Sequence, residues 1–347
     1  MNSNVSRKGF LTPTWILIAA GLVAGGAVGL YEMFFGHLFA TNSSLVWTLP
    51  LVTYIFLALM STGVSLVLAY GLIMKDEAIT RHTRALLIMA IGILLGAFTA
   101  LATELGSLLN MVWILLSPNL SSPIWWMGAL YSVELVLLIV KLLMDLKGRH
   151  GVFDLPLAWG TLIVAAAAAI TIGAVFGTVI GRPDYHGAFL SVVTLVSALV
   201  SGAAVIVLLR PQSTLTETAG RIFRQTALLF AALILVRVAY EAHSTVAGML
   251  GWASVWMLVP FILALVLLPY APRVLAFIAI VGVLWVQYSF IITGQLVSLG
   301  QKAHWYGAVQ SYQPNIPEAL ILVLGIAVAA ALIKLGGRFL MDERPAA

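Results

Sequence analysis

The run at 46–74, VWTLPLVTYIFLALMSTGVSLVLAYGLIM, decides the fold class. It is predominantly apolar over well beyond the roughly 20 residues that carry an α-helix across a bilayer, so it reads as a membrane-spanning helix. Nine further runs of the same kind stand at 14–35, 85–109, 124–146, 156–180, 187–209, 225–247, 252–270, 273–297 and 317–337. Polar or Pro/Gly-marked breaks separate them, the shortest at Tyr270 to Arg273, where Pro272 favours a split. Across all 347 residues, 62% are apolar and 9% charged, with a mean hydropathy of +1.07. That composition excludes a soluble globular protein and leaves no room for a sizeable soluble domain. The expectation is an all-α, polytopic integral membrane bundle of about ten transmembrane helices, with residues 1–347 as one transmembrane domain.

The basic residues orient it. Arg7 and Lys8 precede a first run without an obvious small-residue cleavage site, which reads as an uncleaved helix. With the N-terminus inside, thirteen Lys and Arg fall on the cytoplasmic side, and only Arg182 and Lys302 fall outside. A miscounted helix would scramble that alternation, so both termini are expected in the cytoplasm. A basic balance of this kind is an orientation signal, and no nucleic-acid partner is expected.

Ionisable side chains within a bilayer cost a few kcal/mol each, so those present face a bundle interior or a wet cavity. With this topology Glu104, Tyr131, Arg237, Glu241 and Gln295 lie toward the outer ends of their helices. Glu134, Lys141 and Asp145 are spaced by seven and four, which places them on one stripe of a helix with Tyr131 a turn above. The stripe is either part of a proton path or, for Lys141 and Asp145, an interfacial ion pair. Arg237 and Glu241, four apart, either pair within their helix or serve a carbonyl or carboxylate nearby. Proton-transfer candidates are therefore Glu134, Arg237, Glu241, Lys141 and Asp145.

All six histidines, His37, His82, His150, His186, His243 and His304, fall near helix ends or in loops. A bundle haem needs paired axial histidines within spans, so no haem is expected. Absence of Cys excludes an iron–sulfur cluster in this chain, and any electron it handles must come from another subunit. The outer histidines lack ligand spacing, so no metal site is expected; His186, beside Gly187 at a helix start, is the one suited to donate a hydrogen bond to a ligand carbonyl. Trp125, Trp126, Trp252, Trp256, Trp305 and Tyr306 read mostly as an interfacial aromatic belt, and they would suit a flat aromatic head group or a docked subunit equally well.

SPNLSSPIWWMG at Ser117 to Gly128 resembles the "PN..SP..W.G" signature of the polysulphide-reductase membrane-subunit (NrfD-type) family, and Glu104-Leu105-Gly106 stands where that family has an acidic residue followed by Leu-Gly. FGTVIGRPDYHGAFLSVVTLVSALVSGAA at Phe176 to Ala204 is similar to its helix–loop–helix ending in "FL..AL.SG.A". Gly294-Gln295 and YQPNIPE at Tyr312 to Glu318 are similar to the "GQ" and "Y.P...E" elements of its ten-helix branch. The chain departs from the pattern in having Tyr54 where a quinone-contacting His is expected, Thr171-Ile172-Gly173 before the Arg-Pro loop, and Ser107-Leu108 in place of an Arg-Pro.

The resemblance implies a quinone-reactive anchor in a bacterial or archaeal cytoplasmic membrane. Its cofactor would be menaquinone or ubiquinone, bound near the outer face. Its partners would be a ferredoxin-like iron–sulfur subunit and a molybdopterin catalytic subunit on the extracytoplasmic side, with this chain lacking the catalytic centre itself. The quinone-binding positions it carries over are Glu104 and His186, with Tyr131 and Gln295. Two other classes compete. A secondary transporter would show inverted repeats and paired broken helices; Pro260 breaks one run, but no matching break stands in another half. A purely structural anchor would share every feature above and differ only in binding no quinone.

Overall fold

The computed structural model describes residues 12–41, 45–148, 151–179, 185, 187–209, 214–241, 262, 271–296 and 312–340. These form eleven helices and no strand: α1 Pro13–Phe34, α2 Leu49–Met74, α3 Glu77–Thr80, α4 Thr83–Glu104, α5 Leu108–Leu116, α6 Pro123–Leu146, α7 Asp154–Gly177, α8 Gly187–Leu209, α9 Thr214–Glu241, α10 Pro272–Leu296 and α11 Ile316–Leu340. Among the described residues nine helices are long and apolar enough to cross a membrane: α1, α2, α4 and α6 to α11. The chain is a multi-pass membrane protein of helical class. The expected span at 252–270 lies outside the described residues.

The quoted run forms the hub. Almost every side chain of α2 is buried, and α4, α7, α8, α10 and α11 pack around it. α6 closes the ring between α4 and α7, while α1 lies on α11 and α9 on α8. The outer helices turn large apolar residues such as Leu17, Val23, Val136, Ile163 and Leu229 outward, as a lipid-facing surface requires. Lipid tails are as apolar as leucine, so helix association rests on close packing. Gly63 and Gly202 supply it at the α2–α8 crossing: a Cβ on Gly63 would lie 1.8 Å from the carbonyl oxygen of Ala198, and one on Gly202 would lie 2.2 Å from the carbonyl carbon of Gly63.

Two boundaries differ from the sequence reading, each for a local reason. The third run stops at Glu104 instead of 109, because Gly106 takes a left-handed φ of +64° and Ser107 starts a new helix by accepting the Leu109 N–H at 3.1 Å. The short α5 that follows was not expected. α9 starts at Thr214, eleven residues before the apolar run at 225, since its polar first turns stay helical as they leave the apolar layer.

Candidate functional site

At the end of the bundle opposite Lys75, Arg81 and Arg84, the chain encloses a slot of about 400 Å³ between α2, α4, α5, α6 and α7. Its walls are aromatic and aliphatic, with Trp47, Phe98, Met127 and Phe176 prominent, and its polar groups are few: chiefly Glu104 and Tyr54. α5 forms one side, sending Met111 and Ile114 toward the slot while Leu109, Trp113 and Leu116 are exposed on the outer surface. The α4–α5 break at Gly106 therefore makes the site, because a continuous helix would carry Leu108 to Leu116 away from it.

Glu104, the last residue of α4, is half-buried and accepts the Thr48 hydroxyl at 3.3 Å. Tyr54 is fully buried on the neighbouring turn of α2, and its hydroxyl makes no hydrogen bond. Behind it lies Tyr131, also fully buried with an unbonded hydroxyl, and then Glu134, which accepts the Thr62 hydroxyl at 3.0 Å through Oε2 while Oε1 has no partner. An unsatisfied buried polar group costs about 1–3 kcal/mol, so three such atoms in one column is an expensive arrangement.

Gln295 stands beside the slot and is fully occupied by backbone. Its Oε1 accepts the N–H groups of Val46 at 3.0 Å and Trp47 at 2.8 Å, and its Nε2 donates to the carbonyls of Trp47 and Ile291, each at 3.0 Å. All four hydrogen-bonding positions of the amide are used, so it fixes the Trp47 wall and has none left for a ligand. The glycine before it also has a packing reason: a Cβ on Gly294 would lie 2.2 Å from the Tyr185 ring, which donates its hydroxyl to the Ile291 carbonyl at 2.8 Å. Tyr185, Phe290 and Trp47 surround the Phe176 ring, with centroids 5.0–5.3 Å away.

The structure sorts the other expected residues. The proposed Lys141–Asp145 pair is replaced by two separate ones: Lys141 binds Asp154 at the start of α7, and Asp145 accepts Arg84 Nε at 2.8 Å. Arg84 also donates to the carbonyls of Asp145 and Leu340, tying α4, α6 and α11 together. These partners come from distant sequence, which helical spacing cannot show. Arg237 lies with its guanidinium 5.0 Å from the centroid of Phe290. His186 and the Glu241 side chain lie outside the described residues, as do His243, Trp252, Trp256, Pro260, Lys302, His304, Trp305 and Tyr306. Among the described residues no group of three His, Cys, Asp or Glu could hold a metal.

Sequence reasoning did not count Tyr54 as a site residue, although it noted the position, and it placed Tyr131 at the slot that Tyr54 lines. It also missed the outer clamp that orders the chain above the slot. Glu318, buried at the start of α11, accepts the Ala40 N–H at 2.8 Å, the Tyr312 hydroxyl at 2.7 Å and the Asn315 N–H at 3.0 Å, and the Tyr312 oxygen in turn accepts the Leu49 N–H at 3.0 Å. Burial first, and then the bond to the Glu318 carboxylate, hold the Tyr312 hydroxyl above the usual phenol range, so it keeps its proton. Glu32 is matched on its own side by His37 at 2.5 Å and the Leu38 N–H at 2.6 Å.

A family model described as "Polysulphide reductase, NrfD" matches residues 37–299. That stretch holds the hub helix, the slot and the Gly294-Gln295 pair. No curated protein matches the chain.

Proposed function

The chain belongs to the polysulphide reductase NrfD family, and from that premise we propose that it is the quinone-interacting membrane anchor of a multi-subunit oxidoreductase, with the slot as the quinone site. One observation carries the reading: a lipid-adjacent apolar slot of about 400 Å³ whose polar lining is almost confined to a carboxylate and a buried hydroxyl without a partner. A quinone site asks for little more, namely an apolar bed for the ring and tail and one or two groups that bond the carbonyl oxygens and handle protons.

The residues fit that ligand. Tyr54 would donate to one carbonyl oxygen, and a donor held ready in a dry site costs nothing to reorganise. Glu104, at the edge of the slot and bonded only weakly to Thr48, would accept or return a proton. Trp47 and Phe176 would flank the ring, and Gln295 acts as a positioning residue by holding Trp47. His186 remains a proposed second donor, from the residue that follows Tyr185. When bound, the quinone, menaquinone or ubiquinone, supplies two-electron, two-proton redox chemistry that no side chain here can. Electrons would be exchanged at the outer face with an iron–sulfur subunit beside a molybdopterin subunit, in keeping with a chain that has no Cys of its own.

Titration of the purified full chain with decylubiquinone and with a menaquinone analogue, read by quenching of tryptophan fluorescence, tests the site. Saturable binding is expected, weakened about three- to tenfold in Tyr54→Phe and in Glu104→Gln, the range of one lost hydrogen bond. Absence of saturable binding, or an affinity in both variants equal to that of the unaltered chain, removes the assignment.

A further inference from the structure

Four walls of the slot, α2, α4, α6 and α7, are membrane-spanning helices that pack on one another. The fifth wall, α5, is only nine residues long and is built differently. Its sequence LLNMVWILL is apolar all round but for Asn110, a pattern that is stable where both faces of a helix meet apolar surroundings. One face, with Met111 and Ile114, lines the slot, and the other turns out Leu109, Trp113 and Leu116, which are 62–66% exposed. α6, on which α5 packs, is a spanning helix that also exposes Ile124, Val133 and Val136, so lipid is what covers this continuous apolar surface. A single short helix therefore stands between the slot and the hydrocarbon.

α5 is also loosely held. Among the described residues no hydrogen bond or ion pair ties it to α2, α6 or α7; its polar contacts stay in its own first turn, where Ser107 caps Leu109 and Asn110 Nδ2 donates to the Leu105 carbonyl at 2.8 Å. Its seat on α6 is apolar: a Cβ on Gly128 would lie 3.7 Å from Ile114 Cγ2 and 3.7 Å from Leu115 Cδ2. Both ends can pivot. Gly106 holds its left-handed φ of +64° with open space where a Cβ would stand. At the other end the Ser117–Ser122 turn closes on itself through Asn119 Oδ1, which accepts the Ser121 N–H at 3.2 Å and the Ser121 hydroxyl at 2.7 Å. We infer that α5 is a lid, swinging on Gly106 and the Ser117–Ser122 turn to pass a lipid-soluble ligand sideways between the membrane and the slot. Lipid tails are as apolar as leucine, so parting α5 from α6 within hydrocarbon gives up packing without exposing apolar surface to water. A ligand whose long apolar tail stays in the bilayer then enters without crossing water. The identity of that ligand rests on the quinone reading, whereas the lid can be measured without a quinone.

The chain has no cysteine of its own, so introduced thiols report alone. In the full chain in vesicles, Ile114→Cys with Gly128→Cys is bridged by a short bis-thiosulfonate, or Leu115→Cys with Gly128→Cys should the first pair fail to fold. Decylubiquinone exchange is followed by stopped-flow quenching of tryptophan fluorescence, comparing bridged and reduced forms of the same variant. Bridging is expected to slow both association and dissociation about tenfold or more while the affinity changes little, and reduction restores both rates. A bridged form that exchanges as fast as the reduced one overturns the lid. Without any quinone, Met127→Cys, on the slot wall, is labelled with N-pyrenylmaleimide beside Trp113→Cys on the outer face of α5. Met127→Cys is expected to react more slowly, and adding Ser107→Ala, which removes the α5 cap, speeds it about threefold or more and leaves Trp113→Cys unchanged. Equal rates at the two positions, or a Met127→Cys rate indifferent to Ser107→Ala, overturn the lid. Failure of decylubiquinone to bind even the reduced form overturns the quinone reading, and the labelling then decides the lid.

Discussion

The rings of Tyr54 and Tyr131 meet edge to face, with centroids 6.2 Å apart, and both hydroxyls are buried without a hydrogen bond. Edge-to-face packing alone would be served as well by two phenylalanines. Retaining two oxygens in that position therefore costs stability, which the proposed function accounts for as a cost of chemistry at the slot.

Tyr131→Phe removes one such oxygen and keeps the ring. Its folded state is expected to be as stable as the original or more so, by up to about 1 kcal/mol, while proton-linked turnover of the assembled complex falls. Thermal unfolding in detergent and turnover assays read the two effects separately. A marked drop in melting temperature would show instead that the hydroxyl has a structural partner.

The Gly63–Gly202 crossing leaves no room for a methyl group. A Cβ at Gly63 would lie 1.8 Å from a backbone oxygen that cannot rotate away, so Gly63→Ala must push α2 and α8 apart along the hub. Overpacking of this kind costs about 1–3 kcal/mol or more, and the measurable result is a lower yield of monodisperse protein in detergent. Gly26→Ala, where a Cβ meets nothing within 4 Å, is the matched control and should be silent.

Arg84 and Asp145 form a pair with side chains 13% and 3% exposed. Arg84→Met takes the Nε bond from the buried Asp145 carboxylate and is expected to lower stability, whereas Arg84→Met with Asp145→Leu recovers part of that loss. Chemical unfolding of the three variants, arranged as a double-mutant cycle, checks the order.

The clamp between Tyr312 and Glu318 has a defined alkaline limit. The folded chain holds the Tyr312 proton above the ordinary value, while an unfolded chain ionises near about pH 10. Its contribution is therefore complete below that pH and is lost as pH rises from there toward the folded value. Tyr312→Phe should flatten the fall in stability above about pH 10 relative to the unaltered chain, and thermal melts across that range test it.

Much of the architecture was legible because bilayer helices are written in length and hydropathy, which need no long-range partner. The α6 stripe was legible too, since positions spaced by three and four share a face whatever surrounds them. Partners across helices were not: nothing near Lys141 in sequence points to Asp154 as its counterion, and nothing near Gln295 points to the backbone of Val46 and Trp47. The break at Gly106 was hidden by the continuing apolar residues, which read as more of the same span. Only the Ser107 cap signals that a new helix begins there. The slot depends on that break, so its walls could not be drawn from the runs alone.

A hub without a lipid face has a further meaning for how the protein is made. The segment that becomes α2 is synthesised early, yet α7, α8, α10 and α11, which will cover it, begin eighty or more residues after it ends. Until they arrive, the face of α2 that carries Gly63, which α8 will cover, can meet only lipid or the insertion machinery. Chains halted after α6 should therefore be held or degraded during biogenesis, and the bundle should become protease-resistant in one late step once its last helices close around the second.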